Sequence, residues 1–193
     1  MKIYFSILNT GWIRSELAIK MVRWIATSKY PVIYESSNER PIEHNRNLVV
    51  QRFLRSDCTH LLMIDNDNIP SQSPLNLIEE NKDIITCPVP IAHEKTVYLN
   101  VFINAKDHLE PISKEKKGVI EVDSVGTGVI MCSRKVLEVV KKPFERIYDE
   151  NGIAILGLDL SFSKKAKTAG FKIYTHMDYL SKHYKSVDLC NFI

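Results

Sequence analysis

A chain of 193 residues that is 45% hydrophobic and 25% charged is long enough to bury one core, and too rich in apolar side chains to remain disordered. Its 26 basic and 23 acidic residues are spread along the chain apart from a short Lys-rich run at 114–117, and a formal net charge of +3 is too small to signal a nucleic-acid partner. Cys58, Cys87, Cys132 and Cys190 form no C-x-x-C pair, so neither zinc nor a disulfide framework is indicated, and four free thiols fit a reducing compartment, the cytoplasm.

Residues 1–8 read as a first strand with no cleavage site after them, unlike a signal peptide. No segment reaches the roughly 20 apolar residues that a spanning helix needs, so any membrane contact is expected to be peripheral. Asn9-Thr10-Gly11 interrupts the chain, and Ser15 is placed to cap a helix with Leu17, Ile19, Met21, Val22 and Ile25 on its apolar face. A short strand, Val32-Ile33-Tyr34, leads into a polar stretch at 35–47 that reads as a loop, and a helix is expected over 46–55.

The run from His60 to Pro70 is apolar through Ile64 and ends in Asp65-Asn66-Asp67. It is too short for a helix and reads as a strand buried on both faces, with the two carboxylates at its C-terminal end, where ligands bind in open α/β sheets. The order so far, β-α-β-α-β, favours a mostly parallel central sheet flanked by helices.

Ser73-Pro74 marks a helix start running to about Asn81, and 83–87 returns as a buried strand ended by Pro88-Val89-Pro90. Residues 97–103 and 119–122 have strand composition, while the Lys-rich 106–118 between them is turn-like, which gives a small antiparallel β excursion. Gly126 and Gly128 form a turn directly before a strand ending at Cys132, and a helix capped by Ser133 runs to about Lys141. After a loop at 144–155, Gly157-Leu158-Asp159 opens a helix ending near Gly170, and 171–175 is a last strand. The tail from Met177 holds His183 and Lys185 without periodicity. No repeat or boundary divides the chain, and one domain over 1–193 is expected.

Two aspartates one residue apart can face one cation, and carboxylate oxygens suit hard ions such as magnesium and manganese. Asp and Asn are also ordinary turn residues wherever a strand ends. An EF-hand calcium loop does not fit, because Ile69 and Pro70 take its fifth and sixth places and Asn76 its twelfth. A phosphohydrolase of the haloacid dehalogenase type also carries Asp-x-Asp after an apolar strand, but on the first strand rather than the third.

The ordered set of Asn9-Thr10-Gly11, Asn45-Arg46-Asn47, Asp65-Asn66-Asp67, Gly126-Thr127-Gly128, Gly157-Leu158-Asp159 and His183 resembles the small, family 2-like nucleotide-sugar glycosyltransferases of the GT-A fold. That resemblance implies a metal-dependent enzyme moving a sugar from a nucleotide-diphosphate donor to an acceptor hydroxyl, with inversion expected. Asp67 and His183 would ligate Mn2+ or Mg2+, and Asp65 would reach the ribose, or the metal through water. Thr10, Gly11 and Glu35 would line the nucleotide pocket, Arg46 would contact base or phosphate, and Gly126 and Gly128 would leave room for the donor sugar or acceptor. Asp159 would be the general base, with Asp149 and Glu150 as the alternatives and Asp149 the better of the two, since many relatives carry Glu-Asp where this chain has Leu158-Asp159. The acceptor would be a glycan, protein or lipid, and the compartment the cytoplasm, of a host if the chain is viral. A haloacid-dehalogenase-like phosphohydrolase and a catalytically silent sugar-nucleotide binding module are the competing readings.

Overall fold

The three strands that begin the sheet alternate their side chains between two helical layers, and this places their C-terminal ends in a row. In the computed structural model, which describes residues 1–93, 96–105 and 108–185, these strands are β1 (Ile3–Leu8), β2 (Val32–Ser37) and β3 (His60–Asp65). The helices α1 (Ser15–Ala26) and α2 (Ile42–Arg55) connect them. Ile3, Phe5 and Ile7 share a core with Leu17 and Trp24 of α1, whereas Tyr4 and Leu8 join Val49, Val50 and Phe53 of α2. With both faces covered, every residue of β1 is buried. β1 pairs in parallel with β2 and with β3, and the register sets Ser37, Leu8 and Asp65 side by side.

The remainder of the chain comprises β4 (Asn68–Pro70), a 3-10 helix (Pro74–Glu80), β5 (Ile84–Thr86), β6 (Pro90–His93), β7 (Thr96–Leu99), β8 (Val101–Ala105), β9 (His108–Pro111), β10 (Val119–Val122), β11 (Ser124–Val125) and β12 (Val129–Ser133). Then follow α3 (Arg134–Val139), β13 (Ile147–Tyr148), β14 (Ala154–Leu156), α4 (Leu158–Thr168), β15 (Ile173–His176), a short 3-10 turn and β16 (Ser181–His183). The central sheet has the order β10-β15-β5-β12-β3-β1-β2.

The expectation of a mostly parallel sheet gives way to a mixed one: β12 runs antiparallel to both β3 and β5, and β10 antiparallel to β15. The reason is where the β excursion returns the chain. The glycine turn before β12 sits beside the carboxyl end of β3, with the Asp65 amide donating to Gly128 O at 2.8 Å, so the next strand must run back down the sheet. The excursion itself is antiparallel, with β6 paired to β7, β8 to β9, and β11 to β8. It breaks at Asn100, where one continuous strand was expected, because the backbone there turns to bond Val89 and Gly126 instead.

Two local departures bear on the site. Helix α2 starts at Ile42, four residues earlier than expected, so Arg46 lies inside the helix and not at its start. Several of the polar residues that made 35–47 read as a loop are tied into the fold: the buried Asn45 joins Ser37, and the half-buried Asn47 joins Phe144. In the tail, read as aperiodic, β16 pairs antiparallel with β4 and sets His183 opposite Asn68. Three residues are too few to register as a strand pattern.

The caps also differ from expectation. Ser15 is already helical, and neither Ser73 nor Ser133 makes a side-chain cap bond. The Ser133 hydroxyl goes to Asp83 instead, at 2.7 Å. Cys58, Cys87 and Cys132 are buried free thiols, while Cys190 lies outside the described residues. No helix among the described residues is long and apolar enough to cross a membrane.

Candidate functional site

Three consecutive residues of α2 hold three different segments around the end of β3. Asn45 ties down the end of β2 through Ser37, and Asn47 exchanges hydrogen bonds with the backbone of Phe144. Between them the Arg46 side chain is 3% exposed. Its Nη2 donates to both carboxylate oxygens of Asp65 at 2.8 Å, and its Nη1 to the Thr127 carbonyl at 2.8 Å. Its guanidinium carbon lies 5.6 Å from the Phe144 ring centroid, and that ring stacks on Phe162 at 5.1 Å. A planar, permanently charged fork serves two acceptors here as an ammonium could not.

Asp65 is thus turned toward Arg46. Burial pushes its carboxyl up to about 6 against the pull of Arg46, and the nearby carboxylates of Asp159 and Asp67 push the same way. Asp159 itself comes from the first turn of α4, where Gly157 occupies the position before the helix. The Thr127 hydroxyl donates to Asp159 Oδ1, so Thr127 links Arg46 through its carbonyl and Asp159 through its side chain. Leu158, beside Asp159, packs against the core. Asp159 also lines an open groove of about 520 Å³ with Asn100, Phe102, Leu109 and Arg146.

Asp67 and His183 face each other across the β4–β16 pair, with His183 Nε2 3.3 Å from Asp67 Oδ2. His183 Nδ1 lies 2.6 Å from the Pro90 carbonyl, which only accepts, so Nδ1 carries a proton and Nε2 is the atom presented to Asp67. A carbonyl that fixes the tautomer in this way is the usual outer support of a metal-ligating histidine. The hydrogen bond to Asp67 raises the His183 pKa above its ordinary value against the downward effect of burial. Burial works against ionisation of Asp67, yet the hydrogen bond and charge of His183 outweigh it and hold the carboxyl below the usual carboxylate range. Asn68 donates to the other oxygen, Asp67 Oδ1, at 3.0 Å.

The expected metal trio therefore divides into an Asp67–His183 pair and an Asp65 committed to Arg46. Among the described residues, no group of three His, Cys, Asp or Glu side chains is gathered closely enough to hold a metal ion. Of the remaining expected residues, Thr10 and Gly11 are exposed beyond β1, and Gly11, at φ 105, takes the left-handed turn that Asn9 closes by accepting from its amide. Glu35 sits within β2 beside Ser6 and pairs with Arg52 at 3.4 Å. Asp149 is used locally: its Oδ1 accepts from the amides of Asn151 and Ile153 and closes the β13–β14 turn.

The glycines make room for protein side chains. A Cβ on Gly126 would stand 1.9 Å from the Asn100 amide nitrogen, and one on Gly128 would stand 2.7 Å from that of Asn68. Sequence reasoning missed Thr127, Asn68, Asn100 and Pro90, whose roles come from long-range contacts. Thr127, set between two glycines, and Asn68, directly after Asp67, stood next to motifs.

No protein-family model matches the sequence, and no curated protein matches it. Similarity is found among solved structures. The protein A197 from STIV superposes with a TM-score of 0.67 at 19% identity over 96% of this chain and 87% of that one. The fold is GT-A-like. GalNAc-T7, solved with UDP, GalNAc and Mn2+, superposes with a TM-score of 0.57 at 11% identity over 97% of this chain and 44% of that one. This chain thus spans less than half the length of that second GT-A-like structure.

Proposed function

We propose that this chain is a metal-dependent glycosyltransferase, one GT-A-like domain that moves a sugar from a nucleotide-diphosphate donor to an acceptor hydroxyl with inversion. The observation that carries the reading is the placement of His183: with Nδ1 donating to Pro90, its Nε2 lies 3.3 Å from Asp67 Oδ2, an ion pair that would give up its Nε2 proton to become a two-residue half-site for Mn2+ or Mg2+. Oxygen and imidazole donors of this kind suit manganese and magnesium, and diphosphate oxygens would complete the coordination that two side chains begin. The ion supplies Lewis-acid stabilisation of the leaving diphosphate. Asp65, held by Arg46, orients the ribose side of the donor, and Thr10, Gly11 and Glu35 border the nucleotide.

Asp159 accepts the proton of the acceptor hydroxyl, which enters through the groove along Asn100, Phe102 and Leu109. The engagement of both Asp65 oxygens by Arg46 disfavours the phosphohydrolase reading, which needs that carboxylate as a free nucleophile. Three buried free thiols support a reducing compartment, cytoplasmic or host-cytoplasmic. The acceptor is a glycan, protein or lipid, which product analysis would identify.

The deciding experiment is calorimetry with a panel of nucleoside diphosphates, with Mn2+ and with chelator. Tight binding only with the metal supports the reading; equal affinity in chelator removes the metal from it. Slow Mn2+-dependent hydrolysis of the donor separates the enzyme from a silent binding module.

A further inference from the structure

The loop after β1 carries a cation that no carboxylate among the described residues pairs with. The guanidinium of Arg14 lies between two rings, 4.2 Å from the Tyr184 centroid and 5.2 Å from that of Trp12. Its Nε is buried and bonded to nothing, and among the described residues no oxygen accepts from any of its nitrogens. The nearest acid in sequence, Glu16, is occupied: Lys182 holds one oxygen at 2.8 Å and the Tyr184 hydroxyl the other at 2.9 Å. An arginine offers about five N–H donors in a fixed fork. To hold the buried Nε–H between aromatic faces without a partner is costly for the protein alone, and the fork gains when an anion arrives.

Both rings are fastened to the Asp-x-Asp turn. Asn66 donates to the Trp12 carbonyl at 3.0 Å, and the Tyr184 amide donates to the Asp67 carbonyl at 2.9 Å. Tyr184 also directly follows His183. The clamp around Arg14 is therefore built on the same turn and the same strand end as the Asp67–His183 pair. It opens on a groove of about 400 Å³ bordered by Trp12, Ser15, Ile69, Tyr184 and Glu16, whose two oxygens are taken by Lys182 and the Tyr184 hydroxyl. The 12-residue helix α1 starts there with Arg14 as its cap residue and no side chain capping its first turn, so its free amide groups face the same end of the groove as Glu16 of that turn.

We propose that Arg14, clamped by Trp12 and Tyr184, is a phosphoryl-binding group beside the Asp67–His183 pair. The inference rests on the glycosyltransferase reading and deepens it, since the phosphoryl group belongs either to the donor diphosphate or to a phosphorylated acceptor. The clamp holds the fork rigid before the ligand arrives, so little side-chain freedom is lost on binding. Met at this position would keep contact with both rings and remove the charge and donors.

The test is calorimetry of inorganic pyrophosphate and of inorganic phosphate, each with and without Mn2+, on the wild type, Arg14→Met, Arg14→Lys and Asp67→Asn. Arg14→Met is expected to weaken binding at least tenfold, and Arg14→Lys to recover only part of it, because an ammonium has no planar fork. One pyrophosphate per chain, weakened by both Arg14→Met and Asp67→Asn, assigns the group to the donor. A manganese-independent phosphate lost only in Arg14→Met assigns it to the acceptor. The same substitution leaves the melting temperature of the unliganded protein unchanged or higher. A lowered melting temperature with unaltered anion affinity makes Arg14 structural and overturns the inference. If the wild type binds no nucleoside diphosphate with Mn2+ while Arg14→Met still loses phosphate, the functional reading fails and the anion site stands.

Discussion

The hydroxyl of Thr127 donates to Oδ1 of Asp159, so the turn that closes over Asp65 also aims the first acid of α4. An asparagine at 159 can accept the same bond through its carbonyl but cannot take a proton. Asp159→Asn is therefore expected to keep donor affinity within about twofold and to lower transfer by about 10²–10⁴-fold. Asp149 makes its bonds within its own turn, so Asp149→Ala is expected to lower stability by about 1 kcal/mol and to leave the chemical step near normal. Single-turnover kinetics beside calorimetry would separate these outcomes, and near-normal transfer by Asp159→Asn would remove it as the base.

Arg46 answers two acceptors on two segments, and its loss would leave the carboxylate of Asp65 unpaired in a confined site. Truncating one partner of a buried ion pair costs about 3–5 kcal/mol. Because the Asp65 side chain is 26% exposed, the lower end applies, about 3 kcal/mol for Arg46→Met. Arg46→Lys should recover less than half of the loss, since one ammonium cannot span Asp65 and Thr127. Urea unfolding midpoints would measure both, and an unchanged midpoint in Arg46→Met would show the pair to be of no structural consequence.

Asp123 supplies a pH dependence. The ammonium of Lys167, together with the Asn104 amide at 2.7 Å, holds its carboxyl below the usual carboxylate range against a small effect of burial. A folded pKa below the unfolded one adds stability in full above the unfolded value of about 4, and that stability is lost as pH falls through the lower folded value. Asp123→Asn should therefore cost about 1 kcal/mol at pH 7, and the cost should shrink toward zero in acid. A wild-type-minus-variant difference that stays flat from pH 7 to pH 2 would contradict the assignment.

What was legible in the sequence followed from local pattern. The alternating faces of β1, the apolar run of β3 and the glycine turn before β12 each carry their signal within a few residues. The direction of β12 does not, because it depends on where a long excursion returns the chain. Nor does β16, three residues long and recognisable only by its partner β4. At the site, Asp67, His183 and Asp159 were readable as motif residues. Thr127, Pro90 and Asn68 act through hydrogen bonds that no spacing encodes, and Arg14 drew no notice because its partners, Trp12 and Tyr184, are brought together only by the fold.

Gly126 and Gly128 separate a structural role from a functional one. A Cβ at 126 collides with the Asn100 side chain, so Gly126→Ala should destabilise the protein, and pairing it with Asn100→Gly should restore most of the loss, a coupling that a double-mutant cycle measures. At 128 the neighbour that must yield is Asn68, which is 2% exposed and donates to Asp67 Oδ1. It cannot move without releasing the carboxylate that faces His183. Gly128→Ala is thus expected to weaken Mn2+-dependent binding of a nucleoside diphosphate by about tenfold or more, whereas Gly126→Ala at equal destabilisation leaves it within about threefold. Calorimetry on the two folded variants compares them directly, and equal affinities would mean that Asn68 does not position the Asp67 carboxylate for binding.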